Sequence, residues 1–211
     1  MSAMNLRPTR TLSRQKLIEA ATILAARDQE LASVLAAHGP PPMWARRPGF
    51  VTLVRIILEQ QVSLVSARSM FKRLTTNIQP FTPQRFEELG ELHLRSLGVT
   101  RQKAAYLLSL ADAAAAGELG ALASLPDEVA RETLIRIKGV GPWTADIYLL
   151  MVLKRPDIWP NGDVALATAV MKLKKLGTRP SFPQLAQTAE SWRPFRSVAA
   201  RMLWQYYLAG R

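Results

Sequence analysis

Leu-Ile-Arg-Ile-Lys-Gly-Val-Gly-Pro-Trp-Thr-Ala-Asp, residues 134–146, decides how the rest of the chain is read. An apolar helical run enters with Leu134 and Ile137 on one face, stops at Gly139-Val140-Gly141-Pro142, and a second apolar run leaves through Trp143 to Leu153. Two glycines two apart do not sustain a helix interior, but they accept positive φ and close backbone approach. Pro142 suits the first turn of a helix, where a missing N–H costs nothing. The spacing therefore predicts two helices joined by a tight hairpin, spanning 127–153. The N–H groups that open the second helix form a seat for an anion. In a basic chain that anion is read as a phosphate. A ligand-free αα-corner has the same local sequence.

Composition narrows the partner. Among 211 residues, 28 Lys and Arg stand against 16 Asp and Glu, for a net charge of +12. Such an excess points to a partner with a dense negative surface, nucleic acid first. No apolar run reaches the roughly 20 residues that span a bilayer. The 48% hydrophobic and 21% charged fractions are those of a water-soluble globule with a sizeable core. The absence of cysteine excludes disulfides, thiolate zinc sites and a cysteine-held iron–sulfur cluster in this chain. Arg14, Lys16, Glu19, Arg27 and Asp28 interrupt any signal-peptide core, so a cytoplasmic, nucleoid-associated protein is expected.

The remaining segments read as helices. Residues 1 to 13 are polar and basic and read as loose chain. Leu17, Ala21, Leu24, Leu31 and Leu35 recur at helical spacing from Ser13 to His38, before Pro40-Pro41-Pro42 forces an extended connector. Phe50 to Leu58 is a strongly apolar helix, and Ser63 caps the next. Thr82-Pro83 and Thr100 open two more, and Pro126-Asp127 opens the first arm of the hairpin. Helices over Val164–Leu176 and Ser181–Glu190, and one through Met202, Trp204 and Tyr207, complete the chain. Convincing strand alternation is absent throughout, so the fold class expected is all-α.

The hairpin string, in its form Leu-x-x-Ile-x-Gly-Val-Gly-x-x-Thr-Ala, resembles the helix-hairpin-helix motif of DNA repair glycosylases. In that family an acidic residue follows further along, where this chain has Pro160-Asn161-Gly162-Asp163. Gln60-Gln61-Val62-Ser63 and Trp192-x-Pro-x-Arg196-Ser197 extend the resemblance over roughly Phe50 to Trp204. It is most similar to the alkylbase branch, the 3-methyladenine II type. The resemblance implies a two-lobed helical fold with a cleft between the lobes. Residues 1–60 would pack with 156–211 in one lobe, and 61–155 would form the central lobe.

It also implies roles. Asp163 is assigned to catalysis, although a lone Asp after a Pro-Asn-Gly turn is by itself an ordinary helix cap. A carboxylate near C1′ stabilises the oxocarbenium-like charge of N-glycosidic cleavage and orients or deprotonates the attacking water. Trp143, Trp192 and Tyr148 are candidates for a pocket that stacks on a cationic alkylated purine, against core packing as the plainer fate. Gln61 and Val62 lie at the segment that enters the gap left by an extruded base. Lys138, Gly139, Val140, Gly141 and Thr144 are expected at the DNA backbone. The main-chain carbonyls of Ile135, Lys138 and Val140 are expected to hold a Na+ or K+ ion, with no other cofactor required. Strand-nicking relatives carry lysine where this chain has Trp143, so hydrolysis without lyase chemistry is expected.

Two departures stand out. Gly162 replaces the first of two adjacent acidic residues found in several relatives, and Ile147 stands where close relatives have tyrosine. The expected partner is double-stranded DNA carrying a damaged base, bound by a monomer away from any membrane. The alternatives are a glycosylase of the same fold for deaminated or oxidised bases, and a non-catalytic DNA-binding module.

Overall fold

A computed structural model describes residues 11–210. The described residues form eleven α-helices and a single π-helical turn, with no β-strand among them. The expectation of loose chain over residues 1–13 falls largely outside the described residues, but its end is anchored. Leu12 is buried and its N–H donates to the Lys154 carbonyl at 2.8 Å, and Ser13 caps the first helix through Lys16 N–H.

The chain divides into two compact units, Met1–Ala45 with Leu149–Arg211, and Arg46–Tyr148. The first unit holds α1 (Arg14–Ala25), α2 (Gln29–His38), α9 (Val164–Leu173), α10 (Phe182–Glu190) and α11 (Arg196–Ala209). Its centre is α11, where Ser197 through Trp204 are all buried and which packs on α1, α2 and α9. Within that helix the guanidinium of Arg201 has no exposed surface. It donates to the carbonyls of Met43, Ser197 and Leu150 at 3.0, 3.0 and 2.7 Å, and burial pulls its pKa down to about 10. Three carbonyl acceptors compensate the desolvation that a buried cation would otherwise suffer.

The single helix expected over residues 13–38 is two. Asp28 interrupts it, with extended backbone and a side chain that accepts Leu31 N–H at 2.9 Å, and so starts α2 afresh. An Asp side chain that satisfies an orphan N–H favours a new helix start over continuation.

The second unit holds α3 (Phe50–Glu59), α4 (Leu64–Asn77), α5 (Pro83–Ser96), α6 (Arg101–Ala115), α7 (Asp127–Ile135) and α8 (Pro142–Ile147). Six of the ten residues of α3 are buried, and it packs on α4 and α6. The expected grouping of residues 1–60 with the terminal helices is corrected in that residues 46–60 belong with the central ones. Phe50, Phe81 and Phe86 form an edge-to-face cluster beside α3, with Phe50 and Phe86 centroids 5.0 Å apart. Such a geometry adds to area burial through the ring quadrupoles. The chain leaves this unit inside the π-helical turn Tyr148–Val152, which continues directly from α8. The caps read from sequence at Ser63, Thr82 and Thr100 are present, each accepting a backbone N–H three residues on, and Ser181 caps α10 in the same way.

Candidate active site

In the second unit, α7 and α8 pack together as the two arms of the hairpin. Asp127 and Glu128 sit in the first turn of α7, where carboxylates complement the helix dipole. The chain turns at Gly139, whose φ is +91°, and a Cβ there would lie 2.2 Å from Cγ of Tyr106. Glycine is required twice over, by conformation and by the ring against it. Val140 N–H donates to the Ile137 carbonyl, and Gly141 then leads into Pro142 with open space around it. The carbonyls of Leu134, Ile137 and Gly139 accept hydrogen bonds from Ile137 N–H, Val140 N–H and Gln60 Nε2. The arms are clamped by Arg131 on α7, whose Nε donates to Oδ1 of the buried Asp146 at 2.7 Å. That bond, followed by the carboxylate's charge, raises the Arg131 pKa against the effect of burial.

Lys138 and Gly141 are exposed, as a backbone contact requires. Thr144 is not. It is buried, and its Oγ1 accepts from Nε2 of Gln60 at 2.8 Å, so its part is to hold the hairpin together rather than to meet a phosphate. Gln60 also donates to the Gly139 carbonyl at 2.9 Å. It ends α3 and delivers the chain to Gln61, which is exposed in a left-handed conformation with φ of +57°. Val62 follows with 46% of its surface exposed, and Leu64 and Val65 after it are exposed too. The turn between α3 and α4 and the start of α4 thus present an exposed apolar tip.

Of the three aromatic candidates, Trp143 is half-buried in the first turn of α8. Tyr148 is 1% exposed, and its hydroxyl accepts the Gly49 N–H at 3.2 Å. Burial raises its pKa and keeps it a neutral phenol. Trp192 is 2% exposed, donates its indole N–H to Oδ2 of Asp28 at 2.9 Å, and stacks obliquely near Trp159. The stacking roles assigned to Tyr148 and Trp192 are corrected accordingly, since a ring enclosed by protein has no face left for a base. Ile147 is likewise buried in the core.

Asp163, in the first unit, is 7% exposed and caps α9, its Oδ1 accepting Leu166 N–H at 2.9 Å. The turn before it is made by Gly162, with φ of +88°. The glycine that stands in an acidic position thus has a conformational reason to be there. Upstream, the segment that leads to Asp163 is tied to the start of α11. Asp157 accepts from Arg196 Nε at 3.0 Å, and the Ser197 hydroxyl accepts Ile158 N–H at 2.9 Å and donates to its carbonyl. Arg196 and Ser197, singled out in the sequence only as part of a motif, therefore fix the approach to the carboxylate.

Sequence reasoning missed Gln60, Lys103, Tyr106 and Asp28 as organising residues. Only the doubled Gln60-Gln61 offered a signal. The others act on partners distant in the chain.

Among the described residues no helix is long and apolar enough to cross a membrane, and no group of His, Asp or Glu is arranged to hold a metal ion. Comparison with known proteins places this geometry. The family described as HhH-GPD superfamily base excision DNA repair protein matches residues 54–194. A Bacillus subtilis relative is 27% identical over 189 residues, covering 83% of this chain and 64% of its own length. DNA-3-methyladenine glycosylase 1 of Schizosaccharomyces pombe is 26% identical over 183 residues, covering 84% of this chain and 80% of that protein. The solved structure of a Schizosaccharomyces pombe 3-methyladenine DNA glycosylase in complex with abasic DNA superposes with a TM-score of 0.81 at 25% identity, covering 88% of this chain and 95% of that one. The chain thus spans less than two thirds of the Bacillus relative and most of the yeast ones.

Proposed function

The chain belongs to the HhH-GPD superfamily of base excision DNA repair proteins, and from that membership we propose that it is a monofunctional DNA glycosylase for alkylated purines of the 3-methyladenine and 7-methylguanine type. The observation that carries the proposal is Asp163, a buried carboxylate at the head of α9 that follows the glycine hairpin in the family's order. The yeast relative named for 3-methyladenine excision, and the likeness to its abasic-DNA complex, support the substrate class.

In this reading the target nucleotide leaves the stack, because C1′ and the leaving base are inaccessible within the duplex. Gln61 and Val62 enter the gap. The extruded cationic purine stacks on Trp143, whose electron-rich ring favours positive charge. As the glycosidic bond lengthens, positive charge develops on the sugar. Asp163 stabilises it and guides water to C1′, leaving an abasic site. Trp143 supplies no amine for a Schiff base, and Lys138 lies elsewhere in the hairpin, so strand cleavage is not part of the reaction. Lys138 and the main chain from Gly139 to Gly141 grip phosphate; the carbonyls of Ile135, Lys138 and Val140 would hold a Na+ or K+ ion, which would supply further positive charge for that phosphate. The protein acts as a monomer on double-stranded DNA, in the cytoplasm at the nucleoid, with no organic cofactor.

The test is incubation of the native protein with methylated duplex DNA, with released bases resolved by chromatography. Free 3-methyladenine and 7-methylguanine are expected, with strand breaks only after hot alkali. Borohydride trapping of a covalent complex would refute the monofunctional mechanism. No base from methylated duplex but release from hypoxanthine or uracil duplexes would refute the substrate class.

A further inference from the structure

Gln60 connects two loops that the proposed function treats separately. Its single amide nitrogen has two hydrogens, and both are used: one meets the Gly139 carbonyl at 2.9 Å and the other meets Thr144 Oγ1 at 2.8 Å. The first acceptor lies on the hairpin turn and the second in the first turn of α8. The same residue closes α3, immediately before the left-handed Gln61.

Lys103 of α6 holds the other side of this junction. Its Nζ donates to the carbonyls of Leu58 at 2.8 Å and Gln60 at 3.0 Å, in the last turn of α3. Carbonyls there have no partner within the helix, and a cation suits that end of the dipole. One turn further along α6, the Tyr106 ring lies against Gly139, and Gln102 Nε2 donates to its hydroxyl at 2.7 Å. A single face of α6 therefore braces both the Gln61–Val62 loop and the glycine turn, with Gln60 spanning from one to the other.

We infer that Gln60 and Lys103 are positioning residues that hold the Gln61–Val62 loop in register with the glycine hairpin, so that gripping the backbone and filling the gap in the stack occur as one event. The inference rests on the reading of the chain as a DNA glycosylase. Neither side chain needs to touch DNA. A loop free to move against the hairpin would grip the backbone and still fail to open the helix.

The experiment uses a duplex containing a tetrahydrofuran abasic analogue beside 2-aminopurine, whose fluorescence rises on unstacking, and reads binding by anisotropy on the same duplex. The native protein is expected to raise the fluorescence. Gln60→Met and Lys103→Met are expected to change binding less than roughly two-fold while the unstacked population falls roughly ten-fold, the order set by two lost hydrogen bonds. Lys103→Arg, which keeps the cation and its donors, is expected to recover most of the signal. Native fluorescence in Gln60→Met, or fluorescence and binding lost in equal proportion, overturns the inference. If Gln60→Met does not fold, equal signals from Lys103→Met and Lys103→Arg overturn it instead. The readout requires no base release. A native protein that unstacks 2-aminopurine but releases no base therefore refutes the glycosylase reading alone, whereas a native protein that does not unstack it refutes this inference.

Discussion

Gly139 and Gly162 both hold a positive φ, yet alanine should not affect them equally. At Gly162 a Cβ would meet nothing within 4 Å, so only backbone strain is added, about 1 kcal/mol. At Gly139 the Cβ would also run into the Tyr106 ring, and we expect a loss of roughly 3 kcal/mol. Urea unfolding of Gly139→Ala and Gly162→Ala compares them directly, and equal losses would contradict the packing of Tyr106 against the turn. Asp28 makes a prediction about pH. Burial would raise its carboxyl pKa, but the Leu31 N–H, the Trp192 indole and the charge of Lys174 together bring it below the ordinary 3.8. A depressed carboxyl contributes stability above its unfolded pKa and loses it as pH falls through the folded value. The stability gap between native protein and Asp28→Asn should therefore be full at neutral pH and close below about 3.8. A gap that persists in acid would show that the charge is not what matters. The paired glycines of the hairpin were legible because backbone demands are local. Asp28 was hidden inside an apolar repeat, and its partner Trp192 lies at the opposite end of the sequence.

The hairpin arms show how elements are joined. Arg131 and Asp146 stand on α7 and α8, and the carboxylate is almost wholly buried. Arg131→Met removes its bidentate partner and should lower stability by about 3 kcal/mol, because removing one member of a buried pair is costly. Adding Asp146→Leu should recover part of that loss in thermal unfolding. No recovery would place the cost in lost packing of the arginine stem. Helix starts were widely readable, since Ser, Thr and Pro mark them chemically. The role of α6 was not. Its Lys103 and Tyr106 look like a solvated cation and an ordinary aromatic until α3 and the hairpin are laid against them. Amphipathic spacing likewise identified the buried face of α3 but not the neighbours that bury it, so the grouping of residues 1–60 with the terminal helices was misdrawn. Trp192 and Tyr148 misled for the same reason. A tryptophan or tyrosine beside a motif carries no mark of whether its ring faces a ligand or a core.

For the molecule as a whole, the net charge of +12 predicts DNA affinity that falls steeply with salt. Lys138→Ala should weaken binding to any duplex sequence about equally and reduce the salt slope by about 1. A sequence-dependent loss would mean that Lys138 reads bases. Composition alone indicated a nucleic-acid partner and excluded iron–sulfur chemistry, and the absence of strand periodicity indicated an all-α fold. The proposed reaction rests on the order of the hairpin and Asp163 alone, because a helix cap and a catalytic carboxylate would be the same residue in the same place. The measurement that separates them is free-base release from methylated duplex DNA by Asp163→Asn beside the native protein. Asparagine still caps α9, so the fold should persist while base release falls by at least roughly a hundred-fold. Release at the native rate by a folded Asp163→Asn would leave Asp163 as a helix cap and contradict the account.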